Sequence, residues 1–231
     1  MKKIFAAVAL LALSAAVPMR ADQSKSEVNM RLDSAASTLR DLAAAPDKGI
    51  PDEVYNSAKC IAVVPRMLKG AFIFGGEHGR GVATCKLPNG MWSAPAFFTL
   101  SGGSWGLQAG AQDIDLVMMV MTDQGVQHLL QNKFQIGAEA SGAAGPVGRH
   151  ASAGVDWKLD TQILTYSRTK GLFAGINLNG SWIEHDVDST KALYGKDYST
   201  NELLAGKVPV PMEARGFIDE VARVKAESEK R

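Results

Sequence analysis

The chain has 231 residues, 46% of them apolar and 21% charged, with a formal charge of +1 at pH 7. Such a composition is ordinary for a globular protein and supplies a sizeable core. The near-neutral balance excludes nucleic acid as the main partner, because that binding rests on neutralising many phosphates.

In chain order, Lys2 and Lys3 form a basic start, and Ile4 to Val17 is an apolar run followed by small residues that offer cleavage after Ala16 or Ala21. This is the pattern of a secretory signal, and the run is shorter than a membrane span needs. An uncleaved anchor is the alternative; no cysteine follows the run to carry a lipid. Residues 1–21 are therefore expected to be a signal peptide. Their removal takes away Lys2, Lys3 and Arg20 and no acid, so +1 becomes −2. Any attraction to an anionic membrane must then come from a local patch.

Ser24 followed by Glu27 matches a capping box, and Val28, Leu32, Ala35, Leu39 and Leu42 recur at helical spacing up to Pro46. The pattern predicts an amphipathic helix, either lying on a membrane surface or packed on its own domain; mixed charges and small apolar residues favour packing. A short helix is predicted from Pro51. Ile61 to Val64, Ala71 to Phe74 and Gly81 to Cys85 read as short strands, continued by Trp92 to Leu100 and Trp105 to Gln112. The nearly unbroken apolar run Asp115 to Met121 predicts a buried central strand, and Thr122 caps a brief helix after it. Strand signals resume near Phe134 and run through Ile163 to Ser167 and Leu172 to Trp182, around a small-residue segment from Gly137 to Gly154. Ser199 with Glu202 starts one closing helix, and Phe217, Ile218, Val221 and Val224 mark the other. The product is one α+β domain, with N- and C-terminal helices flanking a largely antiparallel β barrel or sandwich.

Cys60 and Cys85 are the only cysteines. In an oxidising compartment they form a candidate disulfide, closing a loop of about 25 residues worth roughly 3 kcal/mol in the chain-entropy account. Two buried thiols are the alternative. Two cysteines with no histidine at ligand spacing make no zinc site, and no metal is expected.

The search for catalysis is negative. His78, His128, His150 and His185 form no HExxH, and there is no Gly-x-Ser-x-Gly elbow. Asp113 and Asp115 have the parity of one strand face, which a strand edge explains more simply than a carboxylate pair. Gly75 to Gly81 lacks both GxxxxGK[ST] and GxGxxG, with no long helix behind it, so a glycine-rich hairpin is expected in place of a phosphate loop. Basic clusters are more suggestive. Lys59, Arg66 and Lys69 surround the first strand, Arg80 and Lys86 follow, and a Cys60–Cys85 bridge would bring Lys59 and Lys86 together. Arg149, Arg168 and Lys170 form a second group. Either group could hold anionic phosphate through charge-assisted hydrogen bonds, or be ordinary solvated surface.

The strings AKCIAVVP (58–65), GAFIFGGEHGRG (70–81), WSAP (92–95), AAGPVGR (143–149), YSRTKGLFAG (166–175) and LYG (193–195) together resemble the SYLF family, particularly its exported bacterial members. The resemblance runs from about residue 28 to 198, giving a single domain over 22–231 with a C-terminal helical extension. It implies a non-enzymatic module that binds membrane lipids and needs no cofactor. Phosphoinositides and actin regulation go with eukaryotic relatives that carry SH3 or FYVE domains, for which this exported chain is expected to have no room. The expectation is a periplasmic or secreted protein that recognises anionic phospholipids of a bacterial envelope. The competing expectation is an envelope scaffold or protein-interaction module with no specific lipid.

Overall fold

The computed structural model describes residues 24–44, 49–71, 74–105, 110–147, 161–169 and 172–230. The expected signal peptide, Arg149, His150 and Lys170 lie outside them. Helix α1 (Lys25–Ala43) starts where the Ser24/Glu27 spacing predicts: the Ser24 hydroxyl accepts the Glu27 N–H, and the Glu27 carboxylate accepts the Ser24 N–H at 3.0 Å. All five periodic apolar positions of α1 are buried, so the helix packs on its own domain. Helix α2 (Asp52–Ser57) follows, with Pro51 at its N-cap.

Strands β1 (Cys60–Ala71) and β2 (Phe74–Cys85) make one long antiparallel hairpin. Of the strand expected over 71–74, Ala71 ends β1 and Phe74 starts β2, and residues 72–73 lie outside the described residues. The glycine-rich run 75–81 is strand throughout. Two of its glycines are needed for packing: a methyl group would lie 2.4 Å from Val64 Cγ1 at Gly79 and 2.3 Å from Phe98 Cζ at Gly81. Next come β3 (Ala96–Trp105), β4 (Gly110–Val120), α3 (Asp123–Leu129), β5 (Lys133–Gln135) and β6 (Gly142–Ala144). Trp92 contributes only a single bridge, to Lys86, ahead of β3. The chain continues through β7 (Ile163–Thr169), β8 (Leu172–Gly175), β9 (Trp182–His185), α4 (Val187–Tyr194), α5 (Thr200–Leu204), a 3-10 turn at Met212–Ala214 and α6 (Arg215–Ser228).

Among the described residues the sheet order is β5-β9-β3-β2-β1-β4-β7-β6, with β8 also on β7. Every pairing is antiparallel except β6 with β7. β4 lies between β1 and β7, as its apolar run predicts. Successive residues along it serve opposite faces: Val117 and Met119 join one core, Leu116, Met118 and Val120 the other. The first core lies under α1, α2, α4 and α6; the second fills the concave side with Phe98, Phe134, Ile183 and Leu203. The architecture is thus the expected α+β class, a curled and mostly antiparallel half-barrel with helices at both ends. Helix α6 packs along α1 through Phe217, Val221 and Val224, and Arg40 reaches Glu220 at 3.2 Å.

Candidate binding cleft

The long hairpin carries a defect that creates a site. Register between β1 and its neighbours shifts between Val64 and Met67, and Arg66 there adopts φ 53, the left-handed region that a residue with a Cβ occupies at a cost of about 1 kcal/mol. The amide of Arg66 leaves the ladder and donates to Asp115 Oδ1 at 3.1 Å. Asp115 also accepts from Arg168, from Nε at 3.0 Å and from Nη2. A bulge of this kind turns a side chain out of the pleat. Here it sends Arg66 toward α1.

The cleft so formed, about 480 Å³, has the hairpin as floor and α1 as wall. Glu27, Met30, Arg31 and Ser34 line it from α1, at the spacing of one helical stripe. Leu68, Arg80 and Asp113 line it from β1, β2 and β4, and Leu68 stands directly opposite both His78 and Asp113 in the sheet. Met30 is 54% exposed and Leu68 56% exposed.

Arg31 is the deepest cation. Its guanidinium is buried, 3.2 Å from Asp186 Oδ2 and 3.0 Å from the Ser189 hydroxyl, and lies 5.7 Å over the Phe97 ring. Burial pushes its pKa down, and Asp186 works against that shift. Burial would raise the Asp186 carboxyl, yet the Ser189 hydroxyl and amide, then Arg31 and Arg80, outweigh it and hold it below its ordinary value. Glu27 is likewise held low, by the Ser24 amide and hydroxyl first and by Arg80 and Arg31 after them. Among the described residues, no hydrogen bond or ion pair engages the guanidinium of Arg66 or Arg80, or the carboxylate of Asp113. The cleft therefore presents two guanidiniums and one carboxylate without a hydrogen bond or ion pair among the described residues, and two bare apolar side chains.

The other sequence-predicted cations are placed differently. Lys59 pairs with Asp123 at 2.5 Å. Lys69 points to the concave side, 3.7 Å from the buried Glu77. Arg168 is bound between Asp115 and Asp41, and those hydrogen bonds outweigh its partial desolvation and raise its pKa. Cys60 and Cys85 are joined by a disulfide as cross-strand partners, and the Lys86 amide donates to the Lys59 carbonyl at 2.8 Å. The bridge does make Lys59 and Lys86 neighbours, but at the end of the hairpin away from the turn, whereas Arg66 sits midway along β1. Lys86 instead edges a second groove of about 630 Å³ beside α6, with Met91 and Ile218.

Asp113 and Asp115 share the face turned to α1, whereas His128 stands against Phe134 at 6.2 Å between ring centroids, beside the concave core. They form no acid–base pair. No group of three or more metal-ligating side chains occurs among the described residues. No helix among them is long and apolar enough to cross a membrane.

Sequence reasoning passed over Arg31, Met30 and Leu68. The stripe Glu27, Met30, Arg31, Ser34 was readable on the predicted helix, but the partner that fixes Arg31 is 155 residues away in sequence. Asp186 was itself missed along with α4, although it caps that helix through the Ser189 amide, and Gly195 ends it at φ 77.

The family model described as "Ysc84: Las17-binding protein actin regulator" matches residues 101–224. An SH3 domain-containing YSC84-like protein 1 of Rattus norvegicus is 31% identical over 175 residues, 75% of this chain and 51% of the rat protein. An SH3 domain-containing protein of Schizosaccharomyces pombe is 36% identical over 168 residues, 71% of this chain and 39% of its own. Protein YSC84 of Saccharomyces cerevisiae is 32% identical over 171 residues, covering 73% of this chain and 36% of the yeast protein. The chain thus spans about half the length, or less, of these curated relatives. With more than half of its residues matched, the chain belongs to the Ysc84 family of SYLF-domain proteins.

Proposed function

We propose that this chain is an exported, non-enzymatic SYLF protein that binds anionic phospholipid at a bacterial envelope through the cleft between α1 and the bulged hairpin. The observation that carries this reading is the pairing of uncommitted Arg66 and Arg80 with exposed Met30 and Leu68 around one cleft. Guanidinium groups bind phosphate in bidentate fashion, and each basic residue near an anionic surface contributes on the order of 1 kcal/mol. Exposed apolar side chains beside them suit the acyl boundary. Lys2, Lys3 and the apolar run to Val17 support export, and the adjacency of Cys60 and Cys85 suits an oxidising compartment.

The test is binding of the purified chain to phosphatidylcholine vesicles with and without phosphatidylglycerol, across a salt series. Binding to the anionic vesicles alone, weakening as salt rises, is the expected result. Equal behaviour on both surfaces at low salt would sink the reading.

A second reading has one specific support, the family description, which names a protein partner, Las17. In it the chain is a protein-interaction module of the envelope, without a specific lipid. A stoichiometric co-purifying protein, with no lipid retained in native mass spectrometry, would favour it.

A further inference from the structure

Resting on the lipid reading of the cleft, we infer that Asp113 makes it selective for a phosphodiester headgroup that carries its own hydrogen-bond donor, a hydroxyl or an ammonium, over a bare phosphomonoester. The cleft is not purely cationic. Arg66 and Arg80 reach it from β1 and β2, while Asp113 enters from β4 on the opposite side of Leu68. Asp113 is exposed, and among the described residues neither an ion pair nor a hydrogen bond occupies it. Its neighbour two positions on, Asp115, shows the contrast: that carboxylate is filled by the Arg66 amide and by Arg168. The other acid of the cleft, Glu27, already accepts the Ser24 amide at 3.0 Å.

A carboxylate only accepts hydrogen bonds when ionised. Beside two phosphate-binding guanidiniums it would repel the second negative charge of a phosphomonoester, whose dianion, the main form above its second pKa of about 6, has no donor to offer it. A diester such as phosphatidylglycerol puts a single negative charge on the arginines. It then extends hydroxyls from the same phosphate, and a donor meeting a carboxylate forms the stronger, charge-assisted kind of hydrogen bond. Selectivity of this sort works as much by the unfavourable juxtaposition as by the favourable one. Phosphatidylserine and phosphatidylethanolamine would meet Asp113 with an ammonium by the same chemistry.

The experiment compares phosphatidylcholine vesicles doped with phosphatidylglycerol or with phosphatidic acid, matched in surface potential, for the purified chain and for Asp113→Asn. The unsubstituted chain should prefer phosphatidylglycerol by about fivefold, a factor within the reach of one charge-assisted hydrogen bond. Asp113→Asn, nearly isosteric on an exposed strand position, should bind both vesicles and lose the preference. Equal binding of the two lipids by the unsubstituted chain, or a preference that survives in Asp113→Asn, overturns the assignment to Asp113 while leaving the lipid reading intact. Binding to neither vesicle overturns the lipid reading, and the inference with it.

Discussion

Two stretches of the β1–β2 hairpin carry similar residues and have been put to different uses. At the end away from the turn Cys60 and Cys85 are joined, the strands run in register, and Lys59 is neutralised by Asp123. Midway along, the register slips, Arg66 is turned out at φ 53, and two guanidiniums without a hydrogen bond or ion pair stand with two apolar side chains around a cleft. Counting cations along the sequence does not separate these regions. What separates them is where the carboxylates fall. Asp115 is spent on holding the bulge open, and Asp186 on fixing Arg31 from beneath, so neither neutralises Arg66. The bulge is thus a device for delivering an unneutralised charge to a surface.

The largest expected effect tests the support under the bulged stretch. Asp186→Ala leaves Arg31 buried without its carboxylate and uncaps α4, and should cost about 3 kcal/mol in denaturant unfolding. A loss below about 1 kcal/mol would mean that Arg31 finds water through the cleft. Asp186 also carries a pH signature. Its carboxyl is held low in the folded chain, so its contribution is present above the ordinary carboxylate pKa of about 4 and fades as pH falls through the lower folded value. Asp186→Asn should flatten that part of the acid-unfolding curve.

The disulfide comes next. Replacing Cys60 and Cys85 with serine should lower stability by roughly 3 kcal/mol, from the loss of a loop constraint in the unfolded chain. Vesicle affinity should stay within about twofold, since the bulge lies midway along β1, away from the bridge at its first residue. A parallel loss of affinity would show that the two stretches are coupled, and would break the comparison.

The smallest effect on stability is the most pointed. Arg66→Gly should stabilise the fold slightly, by at most about 1 kcal/mol, because glycine takes the left-handed conformation without strain. The same substitution should weaken anionic-vesicle binding. Strain that is relieved while binding is retained would assign the bulge a purely architectural role.

The parts of the fold visible in the sequence were those set by neighbours along the chain. The capping boxes at Ser24 and Ser199, the Thr122 cap and the two-faced apolar run of β4 all depend on residues within a few positions, and all stand in the structure. The lengths of β1 and β2 were not visible. A bulge stabilised by Asp115 from another strand carries β1 past Pro65, and glycines that read as a loop are strand positions emptied to admit Val64 and Phe98. The site was half legible for the same reason. Arg66 and Arg80 stand out as basic residues near strands, but so do Lys59, Lys69 and Arg168, and only tertiary contacts show which three are paired.

The most direct test of the central claim compares two double charge reversals in one binding assay on phosphatidylglycerol-doped vesicles. Arg66→Glu with Arg80→Glu alters the bulged stretch of the hairpin; Lys59→Glu with Lys86→Glu alters the disulfide end by the same net charge. The first pair should lose more than about tenfold in affinity and the second no more than about twofold, since contact at the cleft, and not net charge, is what binds. Equal losses, or a larger loss at the disulfide end, would contradict it.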